Sequence, residues 1–338
     1  MKYNTLGKSG LAVSELALGT MIFGEEGQRG TDKSTAIDII HHYLDQGGNH
    51  IDTANVYAGG RSEEIVGQAL LGKRQRAVIA SKVRFSMGEG PNQEGLSRVH
   101  IMRSVEDSLR RLQVETIDLL YMHCWDPLTP LEESLRAFQD LVTSGKVRYI
   151  GVSNFKAWQL MKALGISDGK DWIRFVAAQY QYSLVERNIE YEISEICRTE
   201  SLSLIPWGPL GGGFLSGKYH RGDPPRSGRL AVMPEEAEEA WARRAVERNW
   251  RILDVMDDIA TQYDVTHPQI AIAWLLAQPA VDSVILGART MQQLKENLAA
   301  AAFQLPAEEL DRLNQVSAPP SFYPYRFIDE YGSRELPA

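Results

Sequence analysis

Ile117-Asp118-Leu119-Leu120-Tyr121-Met122-His123 is apolar almost throughout and is closed by a histidine. A strand with one wet face alternates polar and apolar residues. A run like this one suits a strand buried on both faces, as in a parallel sheet covered by helices. Leu204-Ile205-Pro206 has the same character. Working outward, short apolar runs recur at residues 15–19, 49–52, 78–81, 117–122, 147–152, 175–179, 203–206 and 283–286. Between them lie segments of helical periodicity, such as Ile37, Ile40, His41, Leu44 and Leu131, Leu135, Phe138, Leu141. Eight strand-then-helix units predict an α/β protein folded as a single (β/α)₈ TIM barrel, because an open doubly wound sheet usually has fewer strands. Residues 2–6 and 11–14 flank Gly7-Lys8-Ser9-Gly10 and predict a short N-terminal β-hairpin.

The bulk composition agrees. With 338 residues, 43% hydrophobic and 24% charged, the chain can bury a large core. No repeat or low-complexity linker divides it, so residues 1–338 read as one barrel domain. A net charge of −8 without a basic run disfavours nucleic acid as a partner. Cys124 and Cys197, the only cysteines, make no metal-binding spacing, so no metal is expected. The N-terminus MKYNTLGKSG lacks the apolar segment of a secretion signal, and no run is long enough to span a bilayer. A soluble, cytoplasmic protein is expected, as a monomer or a homo-oligomer. Neither the Rossmann nor the Walker glycine pattern occurs; in Gly211-Gly212-Gly213-Phe214-Leu215-Ser216-Gly217 the third glycine of a GxGxxG falls one place late.

Residues 24–30, 84–95 and 218–235 are irregular, and each follows a candidate strand. Such loops gather at the C-terminal mouth of a barrel, where barrel enzymes place their chemistry. The tail, residues 317–338, carries Pro319, Pro320, Phe322, Tyr323, Pro324, Tyr325 and Phe327 and is expected to pack as a lid or an edge.

Asp52, Lys82 and His123 each sit where a buried strand meets its loop, and Tyr57 follows Asp52 by five residues. Singly, each has an ordinary structural use: a cap, a solvated lysine, a core tyrosine. Together they arrive at one rim of the barrel. Carbonyl reduction by hydride leaves an alkoxide that must be protonated. A tyrosine hydroxyl, with its usual pKa of about 10, is a weak acid at neutral pH. A buried ammonium beside it favours the phenolate, and a paired carboxylate keeps that ammonium charged. An imidazole can hydrogen-bond and orient the carbonyl oxygen. Hence Tyr57, Lys82, Asp52 and His123 form a workable catalytic set.

Asp52-Thr53-Ala54-Asn55-Val56-Tyr57 resembles the DTAxxY motif of the aldo-keto reductase family, whose catalytic set includes a strand-end lysine and histidine, here Lys82 and His123. Gly145-Lys146-Val147-Arg148-Tyr149-Ile150-Gly151-Val152-Ser153-Asn154-Phe155 resembles a second family stretch. The likeness runs from about Lys2 to Phe303, and it implies an NADP(H)-dependent oxidoreductase acting on a small carbonyl or alcohol. It also implies a cofactor path. Gly19, Thr20, Met21 and Asp52 would border the nicotinamide ribose. Ser153, Asn154 and Gln179 would bind the carboxamide, and Trp207 would stack on the ring. Gly208, Pro209, Leu210 and Gly211 would approach the pyrophosphate, with Lys218 and Arg229 adding charge. Gly287 and Arg289 open a helix after the last strand, a place suited to phosphate. Arg289 would contact the ribose 2′-phosphate, with Gln293, Glu296 and Asn297 along one helix face toward the adenosine.

Two other readings differ at named residues. The YxxxK spacing of short-chain dehydrogenases is absent. The β subunits of voltage-gated potassium channels resemble this chain over residues 207–218 and 287–297, which makes an NADP(H)-sensing regulatory subunit the alternative. They carry Asn at the place of His123, and this difference favours turnover. Phe23, Phe85 and Trp125 are expected at the substrate pocket; the identity of the substrate is not readable.

Overall fold

A computed structural model describes residues 1–27, 30–226 and 228–333. Strands β1 (Tyr3–Thr5) and β2 (Ala12–Ser14) pair antiparallel as the expected hairpin, three residues to a side. Eight parallel strands follow: β3 (Leu16–Gly19), β4 (His50–Asp52), β5 (Val78–Val83), β6 (Ile117–Met122), β7 (Val147–Ser153), β8 (Phe175–Gln181), β9 (Ser203–Trp207) and β10 (Val284–Gly287). Their order, β10-β3-β4-β5-β6-β7-β8-β9, is that of a (β/α)₈ barrel. The seam between β9 and β10 is nearly closed by a parallel bridge from Leu204 to Val281, with Leu204 N donating to Ala280 O at 2.7 Å.

Each strand of a barrel has an inward and an outward face. The outward residues, among them Leu18, Ile51, Ile79, Leu120, Met122 and Val152, join the large core between sheet and helices. The helices supply matching stripes. The helix Lys33–Asp45, capped by Asp32 accepting from Thr35 N at 3.1 Å, buries Ala36, Ile39, Ile40, Tyr43 and Leu44. Each such aliphatic side chain contributes about 1.5–3 kcal/mol when removed from water. The inward set forms a separate small core of Ala17, Val78, Ala80, Leu119, Tyr121, Ala177, Ile205 and Ile285, plugged from below by Leu6 and Val13 of the hairpin segment. Tyr121 fits inside because its barrel neighbour is Gly151, where a β-carbon would stand 2.5 Å from the Tyr121 ring.

Several strands run past their expected ends, to Val83, Gln181 and Trp207. The expected ends fell where polarity rises, and Lys82, Gln179 and Gln181 are polar residues that point into the barrel mouth while their backbones stay in the sheet. The stretch 218–235 is less irregular than expected. It contains a short helix, Arg229–Val232, and the segment after it is pinned by Trp241, whose ring lies 5.4 Å from Tyr219 and 5.9 Å from Trp250. Gln28, Arg29 and Ser227, within the expected loops, and residues 334–338 of the tail lie outside the described residues. The tail contacts the body through Phe322 and Tyr325, packed on Tyr191, and Tyr191 Oη donates to Pro320 O at 2.5 Å. Its helix, Tyr325–Tyr331, buries no residue. Among the described residues no helix is long and apolar enough to cross a membrane.

Candidate active site

The register places Asp52 and Lys82 at the top of the inward face, on adjacent strands β4 and β5. Their side chains are almost wholly buried and meet at 2.5 Å, Lys82 Nζ to Asp52 Oδ1. The same ammonium donates to Thr53 O at 2.8 Å and to Tyr57 Oη at 3.1 Å. Three partners use all three of its hydrogens. Asp52 Oδ2 accepts from Gln179 Nε2 at 2.7 Å, across the barrel from β8. The carboxylate is therefore held from two sides. Tyr57 reaches back over the mouth because the chain after it turns through left-handed residues, Ala58 at φ +49° and Gly59 at +65°.

His123, at the end of β6, packs its ring edge against Tyr57 (5.9 Å between centroids) and against Phe85 (4.8 Å). Its Nδ1 is buried with no hydrogen-bond partner among the described residues. The structure thus brings Tyr57, Lys82, Asp52 and His123 together at one rim.

Burial is the largest influence on three of these groups. It raises Tyr57, and the nearby Lys82 charge opposes this without reversing it, so Tyr57 stays above the ordinary tyrosine value. The ammonium favours the phenolate, as expected, but burial outweighs it, so at neutral pH the group is a neutral phenol. For Lys82 burial works against the charge, but Asp52 and Tyr57 outweigh it and the lysine is held above its usual range. Burial, assisted by Lys82, pushes His123 well below the usual histidine range, so its imidazole is neutral.

Several of the expected cofactor residues also hold the protein together. Thr20 is wholly buried, its hydroxyl donating to Asp52 O at 3.0 Å and lying 2.8 Å from Ser62 Oγ. It braces the loop beneath Asp52. Gly19 is required by packing, since a β-carbon there would meet Ile285 Cγ2 at 2.7 Å. Asn154 Nδ2 donates to His123 O (2.9 Å) and Ser153 Oγ (2.8 Å), and Ser153 donates to Gln179 O (2.8 Å). These contacts tie the ends of β6, β7 and β8 together. Asn297 is buried and donates to Gly287 O at 3.1 Å, while Gln293 caps its helix by accepting from Arg289 N at 2.9 Å. Glu296 and Met21 are partly exposed, Pro209 is buried, and Trp207, Gly208 and Leu210 are partly exposed at the mouth. Phe23, expected at the substrate pocket, is wholly buried in the outer core. Phe85 and Trp125 stay at the rim, with Trp125 backed by Phe155 at 5.2 Å.

Around the turn after β9, buried polar atoms without a hydrogen-bond partner cluster. Gln181 Nε2, Arg229 Nε, Arg244 Nε and Nη2, and Oε1 of Glu239 are among them. Such atoms are rare in folded proteins. Gly208, Gly211, Gly212 and Gly213 all have positive φ, a conformation glycine adopts without strain. Lys218 Nζ lies 3.8 Å from where a β-carbon on Gly213 would stand. Burial and the neighbouring Arg289 charge hold Lys218 below its usual range. A lysine beside a glycine-rich turn, with the Arg289 charge near it, fits a phosphate-bearing ligand. Glu239 and Arg244 were not found from sequence. Glu239 stands in Glu235-Glu236-Ala237-Glu238-Glu239, where nothing sets one glutamate apart.

A parallel barrel whose inward carboxylate, lysine and tyrosine meet at its C-terminal rim defines a class of barrel oxidoreductases. The sequence model of the aldo/keto reductase family matches residues 15–318, and the chain belongs to that family. It is 36% identical over 330 residues to an uncharacterized oxidoreductase, YrpG, of Bacillus subtilis, covering 94% of this chain and 96% of that protein. It is 37% identical over 322 residues to a probable voltage-gated potassium channel β subunit of Arabidopsis thaliana (94% and 96% covered). With the versiconal hemiacetal acetate reductase of Aspergillus parasiticus it shares 33% identity over 348 residues (96% and 99% covered). Membership makes the protein an oxidoreductase with a nicotinamide cofactor and a small-molecule carbonyl substrate.

Proposed function

We propose that the protein is an NADP(H)-dependent carbonyl reductase or alcohol dehydrogenase with Tyr57 as its general acid and base. One observation carries this reading: Lys82 is bonded at once to Asp52 and to Tyr57 Oη, all at the barrel mouth. The bound nicotinamide supplies or accepts the hydride. Tyr57 Oη gives its proton to the substrate oxygen as negative charge develops there, or takes it back in the oxidative direction. The fixed ammonium of Lys82 stabilises the phenolate left behind, and Asp52, steadied by Gln179, keeps that ammonium charged and in place. His123, neutral, supplies a hydrogen-bond donor that orients the same oxygen. Trp207, Gly208, Leu210, Gly211, Lys218, Arg229, Gly287, Arg289 and Glu296 are the residues proposed to hold the cofactor. Phe85 and Trp125 would wall the substrate pocket. The Aspergillus relative is named as a reductase, which favours reduction.

The test is NADPH oxidation, followed by absorbance, with a panel of aldehydes and ketones. Protein that binds NADPH but turns over none of them would favour the regulatory-subunit reading suggested by the Arabidopsis relative's name; His123 speaks against that outcome.

Two further results are expected. Arg289→Ala should weaken NADPH about tenfold or more and NADH little, because a charge-assisted contact contributes about 1.5–3 kcal/mol and only NADPH carries the 2′-phosphate. Equal losses for both cofactors, by fluorescence titration, would remove Arg289 from that role. The second concerns pH. Tyr57 and Lys82 are held above their ordinary values and His123 well below its own. None of the three should titrate near neutrality, so kcat/KM for reduction should stay flat from about pH 6.5 to 9. An inflection between pH 6 and 7 would assign His123 a proton-transfer role.

A further inference from the structure

Glu239 is 2% exposed; its Oε1 has no hydrogen-bond partner among the described residues, and its Oε2 is met by an arginine. Its Oε1 lies 3.4 Å from where a β-carbon on Gly208 would stand, and equally 3.4 Å from that of Gly212. A carboxylate thus rests against the two glycines that frame the turn after β9. Its charge is met by Arg229, whose Nη2 forms an ion pair with Oε2. Buried carboxylates are normally bonded on both oxygens. Here the acid shares with a phosphate group its charge, its place against the glycine turn and its arginine.

We propose that Glu239 is an internal competitor for the phosphate cradle: it holds Arg229 and the Gly208–Gly212 turn through the contacts a dinucleotide pyrophosphate would make, and so sets the affinity for the cofactor. This rests on the cofactor reading above. Binding exchanges Arg229 from Glu239 to phosphate and turns the carboxylate out of the turn. The acid weakens binding by like-charge repulsion and by retaining the arginine. Without cofactor it stabilises the Arg229–Val232 segment.

The experiment measures NADPH dissociation constants by quenching of protein fluorescence, on the full chain, for wild type, Glu239→Gln, Glu239→Asp and Arg229→Ala, with thermal melting of each protein alone. Glu239→Gln keeps the shape and removes the charge. It should bind NADPH about tenfold more tightly and melt at a lower temperature without cofactor. Glu239→Asp, a methylene shorter, should fall between it and wild type, and serves if the glutamine variant folds poorly. Arg229→Ala should bind more weakly than wild type. A merely structural glutamate would weaken binding when replaced, so the sign of the change is the decisive reading. Glu239→Gln that binds NADPH no more tightly than wild type overturns the proposal while leaving the cofactor assignment intact. Wild-type protein that binds neither NADPH nor NADH overturns both.

Discussion

Tyr57→Phe is expected to lower kcat for carbonyl reduction about 10²- to 10⁴-fold, the usual contribution of a positioned general acid. The affinity for NADPH should hardly change. The phenyl ring keeps the packing against His123, whose centroid lies 5.9 Å away, and the cation–ring contact with Lys82 at 4.8 Å. What disappears is one oxygen, the acceptor of the 3.1 Å bond from Lys82. Lys82 retains Asp52 and Thr53 O, so the loss of stability should be about 1 kcal/mol. A falling kcat with steady binding is the mark of an interaction made in the transition state. The measurement is single-turnover reduction of one aldehyde beside a fluorescence titration of NADPH. Retention of more than about a tenth of wild-type kcat, against the range above, would mean that the proton comes from elsewhere.

The residues of this centre differ in how visible they are in a linear sequence, and the difference is geometric. Asp52, Lys82 and His123 end consecutive strands, so strand order alone brings them to one rim. Tyr57 is close to Asp52 in the chain and belongs to a motif. Gln179, expected at the nicotinamide carboxamide, also reaches Asp52 from β8, which does not pair with β4. A contact through the middle of a barrel leaves no spacing to read. The strands run on to Val83 and Gln181, past the rise in polarity that usually marks a strand's exit, because a barrel mouth buries polar side chains on sheet backbone. Thr20 and Phe23 follow β3 directly, and only the structure shows both turned into protein. Glu239 and Arg244 are least legible of all. They lie in a charged segment whose burial depends on Phe214, Tyr219, Trp241 and Trp250 closing on one another.

Lys82→Met is expected to abolish reduction while leaving a folded protein, and its partner variant shows why both effects arise. The methionine removes the charge that stabilises the phenolate of Tyr57, so activity should fall at least as far as for Tyr57→Phe. It also strands Asp52, whose side chain is 4% exposed and then keeps only Gln179 among its present side-chain partners. Breaking a buried pair from one side typically costs about 3–5 kcal/mol, because the surviving charge stays buried. Asp52→Asn alone leaves a buried ammonium with two neutral partners and should be comparably destabilising. The double variant, Asp52→Asn with Lys82→Met, buries no charge at this point. It should recover part of the stability lost by either single change, with a coupling within the 0.5–3 kcal/mol usual for residues in contact. It should recover no activity, since neither residue then supplies the positive charge beside Tyr57. Denaturant melts of the four proteins give the coupling, and aldehyde reduction gives the catalytic side. Losses that simply add in the double variant would show that the two residues fold as strangers. Activity restored with stability would show that Lys82 matters only as ballast for Asp52, and the proton path through Tyr57 would have to be redrawn.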